Sequence, residues 1–155
     1  MHQKSRKFSR GFTLVELLVV ITIIGVLATV VMVSLNSARV KARDIKRIAD
    51  VRQIALALEF CYDQAGKYLA PASFPAAGAA MTCGSDTPIS AMPADPSTGV
   101  GYRYGVDNEA NPQKYVLAAT LEDLSNAALS NDIDVDVYGI VCIDTSSAPN
   151  YCLQQ

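Results

Sequence analysis

One long apolar run dominates the first part of the chain, over residues 12–35. The run has 24 residues, and Glu16 is its only ionisable side chain. Its other polar side chains are Thr13, Thr22, Thr29 and Ser34. As a helix it is about 36 Å long, enough to cross a hydrocarbon core about 30 Å thick. The pattern therefore predicts a membrane-spanning helix over residues 12–35.

The pattern changes over residues 36–66, where apolar side chains recur at spacings of three and four. This spacing predicts an amphipathic helix that packs one face on a partner surface. No proline precedes Pro71, and Gly25 is the only glycine between residues 12 and 65, so the helix is expected to continue to Gly66. The residues of this apolar face are Ile45, Ile48, Val51, Ile54, Ala55, Leu58, Cys61 and Tyr62.

The remaining residues, 67–155, predict a small globular β domain. Residues 70–101 are rich in Ala, Pro, Gly and Ser and predict a connecting loop, and residues 121–129 predict a short helix. Strands are predicted over residues 101–106, 114–120 and 133–143. One face of their sheet is expected to cover the helix through Tyr102, Tyr104, Leu117 and Val141. The fold class is α+β, a long N-terminal helix packed on a small antiparallel sheet.

Charge is distributed unevenly around the apolar run. The 155 residues have a formal net charge of −2, but the cations Lys4, Arg6, Lys7 and Arg10 precede the run without any acid. By the positive-inside tendency, this basic segment stays in the cytoplasm and the globular part lies outside. The alternative is a secretory signal cut after Ala38, whose apolar core would be shorter, roughly 7 to 15 residues.

Four cysteines in the outward-facing part are expected to form disulfides, because that compartment is oxidising. They permit three pairings. Cys142 and Cys152 are close in sequence, which leaves Cys61 to pair with Cys83. A zinc site is disfavoured, because there is no Cys-x-x-Cys and the only histidine is His2.

Glu16 is the most informative single residue. A carboxylate in a membrane helix costs a few kcal/mol and usually has a partner or a function. Residues 11–17, GFTLVEL, resemble the class III signal of type IV prepilins and pseudopilins without a gap. The resemblance implies that residues 1–11 are a leader, that a prepilin peptidase cuts between Gly11 and Phe12, and that Phe12 is then N-methylated.

The spacing of the motif has a physical consequence. Cleavage creates an ammonium on Phe12, four residues and about 6 Å along the helix from the carboxylate of Glu16. If a neighbouring subunit is displaced by about one turn, its Phe12 ammonium meets this Glu16, which partly offsets the cost of burying both ions. Phe12 and Glu16 are therefore the predicted assembly residues.

The resemblance extends beyond the motif. Residues 63–68 resemble the end of the long helix in small type IV pilins and pseudopilins, and residues 92–104 resemble the major pseudopilin of type II secretion. The implied protein is a single-pass inner-membrane precursor that later joins a pilus or pseudopilus as a helical homo-oligomer. The implied partners are a prepilin peptidase, an inner-membrane platform protein and a cytoplasmic assembly ATPase.

A basic stretch follows the membrane segment. Its charges suit either DNA or anionic headgroups, or a solvated collar that pairs with acids on neighbouring subunits. No aromatic residues interleave with the cations, which favours the collar. The stretch comprises Arg39, Lys41, Arg43, Lys46, Arg47 and Arg52.

Asp132, Asp134 and Asp136 alternate with apolar residues, so they are expected to share one face of a strand. Because major pseudopilins commonly bind calcium near this end of the chain, the resemblance makes the three acids candidate calcium ligands. They do not fit an EF-hand. The alternative is a charged solvent face on an edge strand, which discourages aggregation.

The chain lacks the residues of common catalytic sites. Without the leader it contains no histidine, and it has no phosphate-binding glycine loop. A structural filament subunit is thus the first hypothesis, with no enzymatic activity and no cofactor except calcium. The alternatives are a minor pilin that binds DNA or a surface at a filament tip, and a membrane-tethered enzyme.

Overall fold

The structure is a computed structural model that describes residues 12–145 and 147–155. Its first element, α1, spans Leu14–Ala65, 52 residues without a break. The chain divides into an N-terminal unit, residues 1–38, and a globular unit, residues 39–155. Each is described by itself, and α1 runs through both. The helix and the small antiparallel sheets that follow confirm the predicted α+β class.

The described part of the N-terminal unit, residues 12–38, is apolar over most of its length and largely helical. Its helix begins at Leu14, and all large apolar side chains described between residues 12 and 35 are exposed. It is long and apolar enough to cross a membrane. A surface of this kind is stable only when lipid or another apolar surface covers it.

The globular unit contains two small antiparallel sheets. The strands β1 (Met81–Cys83) and β2 (Asp86–Ile89) form a hairpin, and β4 (Tyr115–Thr120) lies between β3 (Arg103–Val106) and β5 (Asn150–Gln154) in a three-stranded sheet. In this sheet Leu117 lies opposite Tyr104 on one side and Leu153 on the other. The elements after α1 are a 3₁₀ helix at Pro71–Ser73, β1 at Met81–Cys83, β2 at Asp86–Ile89, β3 at Arg103–Val106, β4 at Tyr115–Thr120, a 3₁₀ helix at Ala127–Asn131 and β5 at Asn150–Gln154.

Two of the three predicted strands are confirmed as β3 and β4, but the strand predicted over residues 133–143 is wrong. These residues form a loop that turns at Tyr138 and Gly139, both with positive φ. The third strand of the sheet is β5 instead. The predicted helix over residues 121–129 shrinks to the second 3₁₀ helix, and the hairpin of β1 and β2 lies in the stretch predicted as a connecting loop.

The globular unit has three layers, because both faces of β4 are covered. Tyr115, Leu117 and Ala119 face the core that α1 lines with Val51, Ile54 and Leu58. Val116 and Ala118 face the other way, onto the loop of residues 132–144. Of the predicted core-facing residues, Tyr102 and Leu117 are buried and Tyr104 packs against the core, but Val141 is exposed in the loop.

Two disulfides connect separate elements of the globular unit. Cys61 of α1 is joined to Cys83 of β1, and Cys142 of the loop is joined to Cys152 of β5. This is the pairing that the sequence spacing favours. The first bond holds the helix to the hairpin, and the second holds the loop of residues 132–144 to the sheet.

Gly105 of β3 lies where this loop approaches the sheet most closely. A Cβ atom at Gly105 would be 2.6 Å from the carbonyl oxygen of Tyr138 and 2.8 Å from Cγ1 of Ile140. We expect Gly105→Ala to lower the free energy of unfolding by about 1–3 kcal/mol, because the loop must shift to admit the methyl group. Denaturant unfolding measures this loss.

A matched control for that substitution is Gly101→Ala. A Cβ atom at Gly101 would meet Ala77 at 3.5 Å or more, an ordinary contact. The control is expected to change the free energy of unfolding by about 0.5 kcal/mol or less. Equal stability of the two variants would contradict the close approach of the loop.

Candidate assembly site

The start of α1 is held by a reciprocal pair of side chains, Thr13 and Glu16. Oε2 of Glu16 accepts hydrogen bonds from the Thr13 backbone N–H at 2.8 Å and from the Thr13 hydroxyl at 2.7 Å. The Glu16 N–H donates to Oγ1 of Thr13 at 3.2 Å. This is a capping box, which satisfies N–H groups that a helix start otherwise leaves unpaired. Glu16 thus stabilises the helix end within a single chain.

The predicted assembly residues both lie at this helix start. Phe12 is exposed and precedes the cap, and Glu16 lies in the first turn of α1. Gly11, the predicted processing residue, and the leader at residues 1–11 lie outside the described residues. The capping role of Glu16 was missed from the sequence, although the spacing of Thr13 and Glu16 is the signature of a capping box.

Much of the basic stretch after residue 38 is used inside the chain. Arg47 is 2% exposed and Asp44 is fully buried. Arg47 forms ion pairs with Asp44 at 2.7 Å, Asp95 at 2.6 Å and Glu122 at 2.7 Å. Arg43 also pairs with Glu122, and Lys46 pairs with Asp50. The collar hypothesis, which described these cations as solvated, is therefore wrong for Arg47, whereas Lys46 stays exposed beside its partner within the chain.

Asp44 joins the helix to the turn after β4. Its carboxylate accepts hydrogen bonds from the backbone N–H of Glu122 at 2.9 Å and of Asp123 at 2.8 Å. Nearly two turns further along the helix, Asp50 accepts a hydrogen bond from the Tyr102 hydroxyl at 2.7 Å. The polar side of this helix segment is thus anchored to the globular unit by charge-assisted hydrogen bonds, which are stronger than neutral ones.

The ion cluster lowers the pKa values of two carboxyl groups. The hydrogen bond from Arg43 lowers the pKa of Glu122, burial opposes this effect, and the hydrogen bond from Arg47 lowers the pKa further. The resulting pKa is about 2, against an ordinary value of 4.5. The hydrogen bond from Arg47 holds the pKa of Asp95 well below its usual range, again against burial. Both groups therefore bind protons more weakly in the folded chain than in the unfolded chain.

This difference predicts an acid transition. A depressed folded pKa contributes stability that is complete above the unfolded pKa and is lost as the pH falls toward the folded value. We expect the melting temperature to be nearly constant above about pH 5 and to fall between about pH 4.5 and pH 2. Glu122→Gln should flatten part of this fall, and an unchanged profile in that variant would contradict the assignment.

The three candidate calcium ligands do not lie on a strand. Asp132 accepts a hydrogen bond from the Cys152 N–H at 2.9 Å, and Asp136 accepts one from the Cys142 N–H at 3.2 Å. The acids thus fasten the backbone on both sides of the second disulfide. Among the residues that the structure describes, no three or more His, Cys, Asp or Glu side chains gather in a way that could hold a metal ion.

Of the three acids, only Asp132 is partly buried. Burial raises the pKa of Asp132, whose second carboxylate oxygen is buried without a hydrogen-bond partner. Calcium binding at Asp132, Asp134 and Asp136 stays a prediction. Thermal unfolding with and without added calcium tests it, because a ligand bound by the folded chain raises the melting temperature.

The start of the chain is similar to a known family. Residues 6–32 match the family model described as the prokaryotic N-terminal methylation motif. The match includes Gly11, Phe12 and Glu16 and ends inside the apolar run. No curated protein and no solved structure matches the chain significantly.

Proposed function

We propose that this chain, which carries the class III signal of type IV prepilins and pseudopilins, is a structural subunit of a type IV pilus or pseudopilus. It is cleaved after Gly11, N-methylated at Phe12 and polymerised through its N-terminal helices. The observation that carries the proposal is the methylation motif on an exposed apolar helix.

The exposed helix supports this role because its apolar side chains need a cover. In the membrane-anchored precursor, lipid covers residues 12–35. After extraction from the membrane, only a comparably apolar surface can replace the lipid, and the same segment of other copies offers one. Packing of these segments around a common axis buries them all, so assembly follows from the hydrophobic effect.

Phe12 and Glu16 add register to this packing. Once the leader is removed, Phe12 carries an ammonium, and Glu16 carries the only carboxylate of the apolar run. Both hydrogen bonds that Thr13 donates to Glu16 end on Oε2, so the other oxygen can be approached by the ammonium of a neighbouring chain. Burial of two opposite charges in apolar surroundings is tolerable only when they meet, which fixes the offset between neighbours.

The proposed partners follow from this pathway. A prepilin peptidase cleaves and methylates the chain at the membrane, and a platform protein with a cytoplasmic ATPase drives its extraction. The globular unit lies outside the membrane, where an oxidising compartment suits its two disulfides. In this role the protein is structural and catalyses no reaction.

Quantitative mass spectrometry of filaments sheared from cells tests the proposal. We expect this chain to be the main protein of the filaments and its deletion to abolish them. Filaments that persist in the deletion strain without this chain would contradict a structural role. A chain present only in trace amounts would instead favour the tip module that binds DNA or a surface.

A further inference from the structure

The helix of the globular unit has a second apolar face that the sheet does not cover. We define the helix stripe as Ile45, Leu56 and Phe60, which are all exposed, and Leu56 and Phe60 lie one turn apart on the same face. The prediction that Ile45 belongs to the core-facing side of the helix is wrong, because its side chain is 66% exposed. Ile45 precedes Leu56 by eleven residues, about three turns, and so lies on the same side. Leu56 is the most exposed of the three, at 73%.

Two grooves flank Leu56. One, of about 480 Å³, lies between Leu56, Phe60 and the second strand of the hairpin, where Pro88 and Ile89 line it. The other, of about 450 Å³, lies between Leu56 and the end of β5 at Leu153. The helix stripe is thus a ridge between two partly apolar depressions, a shape that can receive apolar side chains on both sides of Leu56.

A second apolar patch lies on the opposite layer of the globular unit. We define the loop patch as Val135, Val141 and Ile143, all exposed. The loop that carries them packs its inner side chains on Val116 and Ala118, the face of β4 that points away from α1. The helix stripe and the loop patch therefore lie on opposite outer sides of the three-layer unit.

The charges around the two patches are opposite in sign. No lysine or arginine follows Lys114, and four aspartates, at positions 132, 134, 136 and 144, belong to the loop that carries the patch. Arg103 of β3 donates a hydrogen bond to the carbonyl oxygen of Val141 at 3.2 Å, so the four acids outnumber this cation. The helix segment beside the stripe carries exposed Arg39, Lys41 and Arg52, which form no ion pair with the residues that the structure describes. Like-charged patches repel and oppositely charged ones attract, so the helix stripe suits the loop patch better than it suits itself.

We propose that the helix stripe of one copy docks on the loop patch of the next copy. The proposal rests on the proposed filament function and identifies which surfaces of the globular units meet. Two different surfaces on opposite sides make a heterologous contact, which repeats from copy to copy without closing. A patch that docked on the same patch of another copy would instead give a closed dimer. The contact adds to the packing of the N-terminal helices.

Site-directed cross-linking in assembled filaments tests this contact. The full-length double variant Leu56→Cys with Val135→Cys is treated with a short bis-maleimide, which joins free thiols only. All four native cysteines are paired, so they do not react. We expect a ladder of dimers, trimers and larger oligomers from the double variant and loss of everything above the monomer in each single variant.

A matched control keeps Leu56→Cys and moves the second thiol to Val100, which is 65% exposed but lies outside the loop patch. This control is expected to give no ladder. If the first pair blocks assembly, Ile45→Cys with Ile143→Cys reports on the same contact. Both pairs replace exposed side chains, so they leave the core intact.

The outcomes separate this inference from the function on which it rests. Normal filaments without a ladder in either pair would overturn the contact and leave the filament function standing. Dimers from Leu56→Cys alone would show that the helix stripe pairs with itself, and a ladder in the Val100 control as strong as in the test pair would show that the cross-linking is not specific. Either result overturns the proposal. Absence of filaments from the unmodified chain would overturn the function and this contact together.

Discussion

Glu16→Ala is expected to leave the chain inserted and processed but to prevent its incorporation into filaments. The substitution leaves the Phe12 ammonium of each neighbour without a counter-ion in apolar surroundings. An ionic group at the centre of a membrane helix costs about 2.5–3.5 kcal/mol on insertion scales. A loss of this size per contact corresponds to a roughly hundredfold weaker association, and filament yield by shearing measures it.

Two further variants separate the charge of Glu16 from its capping role. Glu16→Gln keeps a side chain that can complete the capping box but removes the charge, so it should assemble as poorly as Glu16→Ala. Thr13→Ala removes the cap, at a cost of about 1 kcal/mol, but keeps the carboxylate and should still assemble. Filaments at the normal yield from Glu16→Gln would contradict the ion pair as the cause.

Arg47→Met is expected to destabilise the globular unit by about 3–5 kcal/mol, the usual loss when one partner of a buried ion pair is removed. Arg47 is buried among Asp44, Asp95 and Glu122, and each of these carboxylates loses a charged partner in the variant. Methionine preserves much of the apolar volume, so the loss reports on charge. Denaturant unfolding of the full chain in detergent, followed by circular dichroism, measures it.

The matched control for Arg47 is Arg52→Met, on the same helix. Arg52 is exposed and has no ion pair among the residues that the structure describes, so this variant should change the free energy of unfolding by about 0.5 kcal/mol or less. If Arg47→Met behaves like Arg52→Met, the ion cluster does not stabilise the unit in the way that its geometry indicates.

The helix was predictable because its signals are local. An apolar run, followed by apolar residues at spacings of three and four, indicates a helix without knowledge of the rest of the chain. The prediction of a strand over residues 133–143 was wrong, although acidic and apolar residues alternate over residues 132–137. The alternating residues Asp132 and Asp136 accept hydrogen bonds from backbone groups near the second disulfide, which holds the segment as a loop. The actual third strand, Asn150–Gln154, shows no clear alternation.

The candidate site also contains some residues that the sequence identifies and others that only the fold reveals. The motif at Gly11, Phe12 and Glu16 is a contiguous sequence, and the family model matches it. The ion cluster was not predictable, because Arg47 meets Asp95 across 48 positions and Asp44 meets the N–H of Glu122 across 78. A charge pattern along the sequence shows which residues are ionic, but only the fold decides whether their partners lie within the chain or on a neighbour.

Mass spectrometry of the N-terminus of the chain in purified filaments tests the central claim most directly. The account predicts that the first residue is Phe12 and that its amino group is methylated, because only removal of the leader creates the ammonium that meets Glu16. An intact leader that begins at Met1, or a chain cut after Ala38, would contradict it.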